Sequence, residues 1–279
     1  MTASTESLPI ATDFAEPLAV STKLDDFFKC VAASPESALL LDFDGTLAPF
    51  RIDPASVRPW AGVPALLEAI QVSGRTRLAI VTGRPAATVA LQLGTHWHPE
   101  IWGLHGAERL FPNGRIERED LPAEDREALR EALYAVNKAV ASLSPPLRIE
   151  EKPNAVAVHW RGQTTTVAEA ARQMILKVLY PFLEIRGMTL LQFDGGVELR
   201  TGSNKGDAVR VMLNELRPDA PVAYLGDDIT DEDAFQALSG RGLAVLIRRE
   251  WRSGAAHLWL RPPVQLREFL KAWVRAVVS

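Results

Sequence analysis

Four short apolar runs divide the sequence, and none of them alternates with polar residues. They cover residues 38–41, 78–81, 222–225 and 243–247. Runs of this length are typical of strands that are buried on both faces of a parallel sheet. Helical patterns lie beside them, at 64–72 before Gly74 and at 205–216 before Pro218. Strands that alternate with helices predict an α/β fold with a doubly wound, parallel, Rossmann-like core.

The middle of the chain has a different pattern. Residues 115–120 are charged, and amphipathic helices are predicted at 122–142 and 167–179. Mixed polarity at 155–161 and 197–200 indicates antiparallel strands. These elements predict an α+β insert that interrupts the core. The predicted divisions are 1–33 for a flexible leader and first helix, 34–115 and 199–279 for the core, and 116–198 for an inserted cap.

Composition narrows the class of protein. With 279 residues, of which 47% are apolar and 24% charged, the chain suits one large domain or two modest ones. A formal net charge of −4 predicts no broad basic surface, so we expect no nucleic-acid partner, and an anionic substrate needs a local basic pocket. The single cysteine, Cys30, cannot form an internal disulfide.

No targeting or membrane signal is expected. No apolar run approaches the ~20 residues that span a bilayer. Residues 1–20 lack the basic start and the apolar centre of a signal peptide. We therefore expect a cytoplasmic protein without a membrane partner.

Polar side chains with catalytic potential follow three of the predicted core strands. Asp42 and Asp44 follow the first strand, Thr82 follows the second, and Asp227 follows the third. Because ligands bind outside the carboxyl ends of the strands in open α/β sheets, we expect these four side chains around one crevice. The convergence of three strand ends is more informative than any one motif.

The pair Asp42 and Asp44 indicates a cation. Two carboxylates separated by one residue repel each other unless a cation or a proton lies between them. A hard divalent ion with oxygen ligands removes that repulsion, and Mg²⁺ is the usual partner of phosphate chemistry. Gly45 allows the chain to leave the strand sharply. The alternative interpretation is an ordinary turn of Asp and Gly after a strand.

A second acidic segment follows the strand predicted at 222–225. Five acidic residues lie within the seven positions 227–233. A solvated loop that caps the next helix is one alternative to a metal site. A calcium loop of the EF-hand type is another, but it needs glycine at its sixth position, where this chain has Glu232. The calcium-loop interpretation therefore fails.

Thr82 and Lys205 lie near the starts of predicted helices. Thr82 could cap a helix that has Pro85 just inside it, or it could both cap that helix and bind phosphate. A cation is unfavourable beside the helix dipole at an N-terminus, so Lys205 makes sense there if it neutralises a bound phosphate. An ordinary surface lysine is the alternative.

In this order, the motifs resemble the haloacid-dehalogenase superfamily of phosphotransferases, over nearly all of the chain after about Ser34. More narrowly, the sequence resembles the trehalose-6-phosphate phosphatase family. The segments that carry the narrower resemblance are LDFDGTL at 41–47, GLHGAE at 103–108, EKPNAVAVHWR at 151–161, VELR at 197–200 with NKG at 204–206, and GDDITDE at 226–232. Thr201 departs from the pattern, since the family commonly has proline there, and we expect no loss of chemistry from it.

The resemblance implies a Mg²⁺-dependent phosphatase with a C2-type cap. Asp42 would attack phosphorus and form an aspartyl-phosphate, while Asp44 would protonate the leaving oxygen and later activate water. Mg²⁺ would be bound by Asp42, the Asp44 carbonyl and Asp227, with Asp231 in support. The phosphate would be held by Thr82, Gly83 and Lys205.

The insert would close over the substrate and exclude water. By period two, Ala155, Ala157, His159 and Arg161 share one side of a predicted strand, and Glu198 and Arg200 share a face of another. The alternative for each cap residue is a salt-bridged surface. The expected substrate-binding side chains are Arg84, His105, Glu108, Lys152, His159, Arg161, Glu198 and Arg200.

The implied reaction is hydrolysis of trehalose 6-phosphate by a monomer or weak oligomer. A capped phosphatase for another sugar phosphate, such as sucrose phosphate or glucosylglycerol phosphate, is the close alternative, because cap contacts decide between them. A non-catalytic binding protein predicts loss of the nucleophile, the acid/base or the metal ligand, whereas Asp42, Asp44 and Asp227 are all present. A phosphoryl-accepting signalling domain needs neither Asp44 nor so large an insert.

Overall fold

The computed structural model describes residues 17–141, 143, 146–193 and 195–278, so that most of the predicted leader lies outside the described residues. The strands are β1 (Ser37–Leu41), β2 (Thr76–Val81), β3 (Glu100–Gly103), β4 (Glu108–Leu110), β5 (Ile116–Arg118), β6 (Arg148–Lys152), β7 (Ala155–His159), β8 (Thr189–Phe193), β9 (Gly196–Arg200), β10 (Val222–Gly226), β11 (Leu243–Ile247) and β12 (Leu258–Leu260). The helices are α1 (Pro17–Ala33), α2 (Val63–Val72), α3 (Ala86–Leu93), α4 (Ala123–Val140), α5 (Thr165–Leu179), α6 (Lys205–Glu215), α7 (Glu232–Ala237) and α8 (Val264–Val278). Within this part of the chain, no helix combines the length and apolar character that a membrane span requires.

The larger of two sheets has eight strands in the order β12-β11-β10-β1-β2-β3-β4-β5. Neighbouring strands from β12 to β3 are parallel, and β4 and β5 add an antiparallel edge. At its centre, Leu40 of β1 lies opposite Tyr224 on one side and Ala79 on the other. The four apolar runs are β1, β2, β10 and β11, which confirms the predicted α/β core with a mostly parallel sheet.

Alternate residues of the central strands enter two hydrophobic cores on opposite faces of this sheet. Leu39 and Leu41 pack with residues of α2, α3 and α8, whereas Leu40 packs with residues of α6 and α7. All three leucines are fully buried, and such burial stabilises the fold by about 1.5–3 kcal/mol for each side chain. Because helices cover both faces of the sheet, the sequence of β1 is a continuous apolar run and does not alternate with polar residues.

The smaller sheet is antiparallel and has four strands in the order β6-β7-β9-β8. Apolar residues of α4 and α5 pack on one face of it, where Val156, Val158, Val197 and Leu199 contribute to a third hydrophobic core. These elements lie in the chain between β5 and α6. They form the α+β insert that the sequence predicts.

The strand pairing shifts the predicted limits of this insert by a few residues. The sequence places residue 116 at the start of the cap, yet β5 pairs with β4 in the larger sheet. It also places residue 199 back in the core, yet Leu199 and Arg200 pair with β7 in the smaller sheet. Backbone pairing continues until a turn interrupts it, and a change in charge pattern does not mark that point. In other respects the division into core and cap stays a prediction.

Candidate active site

The site lies where the chain changes direction across the larger sheet. From β1 the chain runs through α2 to β2 on one side, and it later returns through α6 to β10 on the other side. Such a switch point opens a crevice outside the carboxyl ends of the two strands. Asp42 and Asp227 follow β1 and β10, and each is only 3% exposed. The structure therefore brings together two carboxylates that are distant in sequence.

Lys205 joins two buried carboxylates in this crevice. Its Nζ lies 2.7 Å from Asp42 Oδ1 and 2.7 Å from Asp231 Oδ1. It is the first residue of α6, where a capping box between Asn204 and Asp207 satisfies amide groups of the first turn. Two of the three ammonium protons of Lys205 are used by these carboxylates, which leaves the third for an anion such as a phosphate oxygen.

Asp231 organises the loop after β10. Its Oδ1 accepts hydrogen bonds of 2.7 Å from Lys205 Nζ and from the Tyr224 hydroxyl. Its Oδ2 accepts hydrogen bonds of 2.9 Å from the backbone N–H groups of Asp227 and Asp228. With four donors around it, the fully buried carboxylate holds the loop in place.

The buried charges of the cluster do not balance. Burial, together with the Asp231 charge, raises the pKa of Asp42 to about 7, although Lys205 opposes this shift. Burial and the Asp42 charge also raise the pKa of Asp227 well above its usual range. Burial disfavours the charged form of Lys205, but Asp231 and Asp42 outweigh it and raise the pKa of the lysine. One lysine among three buried carboxylates leaves a need for further positive charge.

The residues present fit a divalent cation with oxygen ligands. Asp42, Asp227 and Asp231 each offer one oxygen, and these atoms lie within 4.8 Å of one another. Asp42 Oδ2 is buried and has no hydrogen-bond partner. Leaving a buried carboxylate oxygen unpaired costs free energy that a cation would offset. Gly45 has a φ of +88°, and a Cβ there would lie 2.1 Å from Asp227 Oδ2, so a side chain at this position would displace Asp227.

Asp44 lies outside this triad and is paired with Arg84. The Nη2 of Arg84 lies 2.7 Å from Asp44 Oδ1, and its Nε contacts Oδ2 of the same carboxylate. The Nη1 of Arg84 donates to the Pro54 carbonyl at 2.8 Å and to Gln92 Oε1 at 3.0 Å. Arg84, which the resemblance implies as a substrate ligand, is thus engaged with the expected acid/base residue and with the loop that follows β1.

The start of α3 differs from the sequence prediction. Thr82 is buried, and its Oγ1 accepts a 3.1 Å hydrogen bond from the Arg84 N–H. Thr82 does not cap α3, because that helix begins only at Ala86. A carboxylate oxygen of Glu108 accepts the Ala86 N–H instead, at 2.5 Å, and its other oxygen lies 3.2 Å from Arg118 Nε. Glu108, expected at the substrate, is engaged in this structure with the first turn of α3.

A buried charge cluster joins the loops of the larger sheet to the smaller sheet. The Nζ of Lys152 lies 2.6 Å from Glu198 Oε2 and 3.0 Å from the Gly83 carbonyl. His105 Nε2 lies 3.1 Å from Glu198 Oε1, as a close contact without the alignment of a hydrogen bond. Burial opposes ionisation of Glu198, but Lys152 and His105 outweigh it and hold the pKa of Glu198 well below its usual range. A Cβ at Gly83 would lie 2.5 Å from His105 Nε2, so glycine lets the ring approach this loop.

Several polar atoms at this junction are buried without a hydrogen-bond partner. They are His105 Nδ1, Asn154 Oδ1, Glu198 Oε1 and Arg200 Nη1. Asn154 belongs to the junction because its Nδ2 donates to the Leu104 carbonyl at 3.2 Å. Buried polar atoms are nearly always paired, so a group of unpaired donors and acceptors suits a ligand rich in hydroxyl groups.

His159 and Arg161 do not share a strand face, contrary to the sequence prediction. β7 ends at His159, and Gly162, with a φ of +87°, turns the chain just beyond Arg161. His159 Nε2 lies 2.9 Å from Glu150 Oε2 within the smaller sheet. The guanidinium of Arg161 lies instead over the ring of Phe50, 4.5 Å from its centre. Arg161 therefore contacts the loop after β1.

Three further residues reach the site although no motif marks them. Tyr224 donates its hydroxyl to Asp231, and a tyrosine within an aliphatic run is a signal that its hydroxyl has a buried partner. Arg248 and Arg252 donate to the Asp227 carbonyl, at 3.3 and 3.5 Å. They lie in the chain after β11, and no sequence pattern connects them with β10.

The buried side chain of His105 should make the fold less stable at acidic pH. Burial lowers the pKa of His105 from 6.5 to about 4, although the Glu198 charge opposes this. The unfolded chain therefore binds this proton at a higher pH than the folded chain, and stability falls as the pH drops through this window. We expect a loss on the order of 3 kcal/mol from this group. His105→Gln should flatten the decline of the unfolding free energy in urea titrations, and an equally steep decline in the variant would contradict the prediction.

The sequence is similar to known phosphatases. It matches the family model described as trehalose-phosphatase over residues 40–254. It is also 33% identical, over 254 residues, to the trehalose-phosphate phosphatase of Mycobacterium marinum, a match that covers 84% of this chain and 60% of the relative. The chain thus spans about 60% of the length of the curated relatives it matches first.

Solved structures show the same fold. The C-terminal domain of trehalose-6-phosphate phosphatase from C. albicans has a TM-score of 0.78 at 19% identity, and the match covers 91% of this chain and 96% of that one. A phosphatase of the haloalkanoate (HAD) superfamily from Bacteroides thetaiotaomicron has a TM-score of 0.59 at 17% identity, with coverage of 85% and 95%. At these identities the likeness concerns the fold alone.

Proposed function

The chain belongs to the trehalose-phosphatase family, and we propose that it hydrolyses trehalose 6-phosphate to trehalose and phosphate in trehalose biosynthesis. The observation that carries this proposal is the buried cluster at the switch point, where Lys205 contacts Asp42 and Asp231 beside Asp227. A carboxylate nucleophile, a fixed cation and oxygen ligands for a divalent ion are what phosphoryl transfer through an aspartate requires.

In the first step, a carboxylate oxygen of Asp42 forms a bond to phosphorus while the bond from phosphorus to the sugar oxygen breaks. The electron pair of the broken bond stays on the sugar oxygen, which takes a proton from Asp44. A sugar alkoxide is a poor leaving group, so this proton lowers the barrier. Trehalose leaves, and Asp42 carries the phosphoryl group.

In the second step, water attacks the phosphorus and gives a proton to Asp44, while the bond between phosphorus and Asp42 breaks. The guanidinium of Arg84 pairs with the ionised form of Asp44, which suits its role as a base. For the first step Asp44 has to carry a proton on one oxygen, and its other oxygen can still accept from Arg84. Both carboxylates are regenerated at the end of the cycle.

The cofactor that we propose is Mg²⁺. Asp42, the Asp44 carbonyl and Asp227 would hold it, with Asp231 placing the loop. When bound, the ion offsets the charge that makes a carboxylate and a phosphate repel each other. Lys205 contributes a third donor toward the phosphate oxygens, and Thr82 and Gly83 lie on the neighbouring strand end.

The junction between the two sheets is the proposed sugar site. Glu198 offers Oε1 without a hydrogen-bond partner, and Arg200 offers Nη1 likewise. Both side chains are buried, so hydroxyl groups of a disaccharide would satisfy atoms that the protein leaves unpaired. A site with unpaired donors and acceptors discriminates strongly against ligands that lack the matching hydroxyls. His105, Lys152 and Asn154 complete this surface.

A release assay with a panel of phosphate esters tests the substrate. We expect kcat/KM for trehalose 6-phosphate to exceed that for glucose 6-phosphate, sucrose phosphate and glucosylglycerol phosphate by about tenfold or more, which corresponds to about one hydrogen bond to a charged group. A preference for sucrose phosphate or glucosylglycerol phosphate would keep the reaction class and overturn the substrate. No release from any ester would favour a non-catalytic binding protein.

Glu198→Ala separates sugar recognition from chemistry. Because binding energy from the non-reacting part of a substrate positions it for reaction, the variant should lose roughly ten- to a hundredfold in kcat/KM for trehalose 6-phosphate. Its slow hydrolysis of p-nitrophenyl phosphate should be nearly unchanged, since this small ester does not reach the junction. Glu215→Ala, which removes a glutamate paired with two basic side chains, Arg77 and Arg109, is the control and should leave both rates unchanged.

Each result of this comparison assigns a different role to Glu198. Equal losses on both esters would assign Glu198 to support of the catalytic centre. No loss on either would make it a structural residue. Glu198→Gln, which keeps a polar partner for Lys152, distinguishes lost recognition from local unfolding. The cytoplasmic location and the monomeric or weakly oligomeric state stay predictions.

A further inference from the structure

The guanidinium of Arg252 contacts the backbone of the acidic loop after β10. Its Nη2 donates to the Asp228 carbonyl at 2.7 Å, and its Nε lies 3.5 Å from the Asp227 carbonyl oxygen. Arg248 adds a donor to the same Asp227 carbonyl, at 3.3 Å. Two arginines from the segment after β11 therefore converge on one short stretch of backbone.

The peptide group between Asp227 and Asp228 is held at both ends. Its carbonyl accepts from Arg248 and Arg252, and its N–H donates to Asp231 Oδ2 at 2.9 Å. The preceding amide, of Asp227, donates to the same carboxylate oxygen. A loop fixed from both sides has little freedom to rotate. The direction of the Cα–Cβ bond of Asp227 is therefore fixed by its backbone.

Arg252 is itself held in place. Its Nη1 contacts Glu232 Oε1, and the other oxygen of Glu232 accepts the Ala255 N–H at 2.8 Å. A Cβ at Gly254 would lie 2.2 Å from Glu232 Oε1, so this arrangement requires glycine there. Charge pairing with Glu232 also offsets the positive charge of Arg252 close to the acidic cluster.

We propose that Arg252 is a positioning residue that fixes the Asp227–Asp228 peptide and so prepares Asp227 to bind the divalent cation. The inference rests on the proposed function, in which Asp227 is a metal ligand. Residues that orient metal ligands without touching the ion typically contribute ten- to a hundredfold to metal affinity. Arg252 acts through the backbone and not on the substrate.

Arg252 affects the affinity for the cation in two opposite ways, and this makes the inference testable. A positive charge near a cation site repels the cation, so removal of the charge alone would tighten metal binding. Loss of the fixed backbone would weaken it. Lysine keeps the charge but lacks the planar fork that reaches two carbonyls and a carboxylate together. Positioning therefore predicts weaker binding for both Arg252→Gln and Arg252→Lys.

The experiment is calorimetric titration of the full chain with Mg²⁺. We expect the Kd for Mg²⁺ to rise about tenfold or more in both variants, and kcat to recover most of its wild-type value at saturating Mg²⁺. Arg241→Gln is the matched control, because Arg241 also binds two backbone carbonyls, those of Ala220 and Arg217. Its Kd for Mg²⁺ should stay within about twofold of the wild type.

Each outcome either supports the positioning role of Arg252 or overturns it. An unchanged or lower Kd in Arg252→Gln would overturn the positioning role, and so would wild-type affinity in Arg252→Lys. If the glutamine variant does not fold, the lysine variant and Glu232→Gln, which frees Arg252 from its anchor, still measure the same quantity. A wild-type chain that binds no Mg²⁺ would overturn the metal site of the proposed function together with this inference, whereas unchanged variants of a chain that binds Mg²⁺ would overturn the inference alone.

Discussion

Asp42→Asn is expected to abolish release of phosphate from trehalose 6-phosphate while the fold survives. The amide has nearly the shape of the carboxylate but is not a competent nucleophile, so kcat should fall by at least about 10⁴-fold. The amide oxygen can still accept the Lys205 hydrogen bond. Because burial and Asp231 already disfavour the ionised form of Asp42, the neutral amide should cost little stability.

Two measurements accompany this test. Circular dichroism and thermal unfolding show whether the variant is folded. Asp125→Asn serves as the control, since Asp125 is another buried aspartate, which lies in α4 and accepts a hydrogen bond from Thr201. A folded Asp42→Asn protein that keeps a large share of wild-type turnover would refute the covalent mechanism. Loss of activity in the control as well would indicate damage to the fold rather than to chemistry.

Chelation of divalent ions is expected to stop turnover completely, and added Mg²⁺ is expected to restore it. Burial, together with the neighbouring carboxylates, raises the pKa values of Asp42 and Asp227. Three buried carboxylates and one lysine leave an excess of negative charge that opposes phosphate entry. A bound ion should also stabilise the folded chain. At about 100 times its Kd, binding adds about 2.7 kcal/mol, which raises Tm by roughly 5–10 °C.

Asp227→Asn should weaken this thermal shift and the Mg²⁺ affinity measured by calorimetry. Asp219→Asn, which changes an exposed aspartate paired with Arg217, should leave both unchanged. Full activity after exhaustive chelation would exclude an essential divalent ion. A Tm that does not respond to Mg²⁺ would also place the ion, if one is needed, outside this cluster.

Much of the fold follows from local patterns. The four apolar runs are strands because helices cover both faces of the larger sheet, and burial on both faces permits no alternation. The helix over Lys205–Glu215 follows from its periodicity and from the capping residue Asn204. Strand β5 was harder to place, because a charged segment such as Ile116–Arg118 pairs through its backbone, which side-chain patterns do not report.

The candidate site, like the fold, follows only in part from the sequence. Placing Asp42 and Asp227 together needs only the rule that strand ends converge at a switch point. Arg84, which the resemblance implies as a substrate ligand, pairs with Asp44 in this structure. Glu108, also expected at the substrate, accepts a hydrogen bond from the first turn of α3. Motif spacing identifies residue types suited to chemistry, but it does not say which partner each side chain finds.

The sequence by itself determined the α/β core, the order of its strands along the chain and the acidic residues at their ends, because these depend on local periodicity and on residue type. Only the tertiary structure determined which groups form hydrogen bonds and ion pairs with each other. Lys205 neutralises Asp42 from 163 residues away, and Arg252 reaches the Asp228 carbonyl from a later segment. Hydrogen bonds and ion pairs act over about 3 Å in space, and separation along the chain says nothing about that distance until the strands have paired.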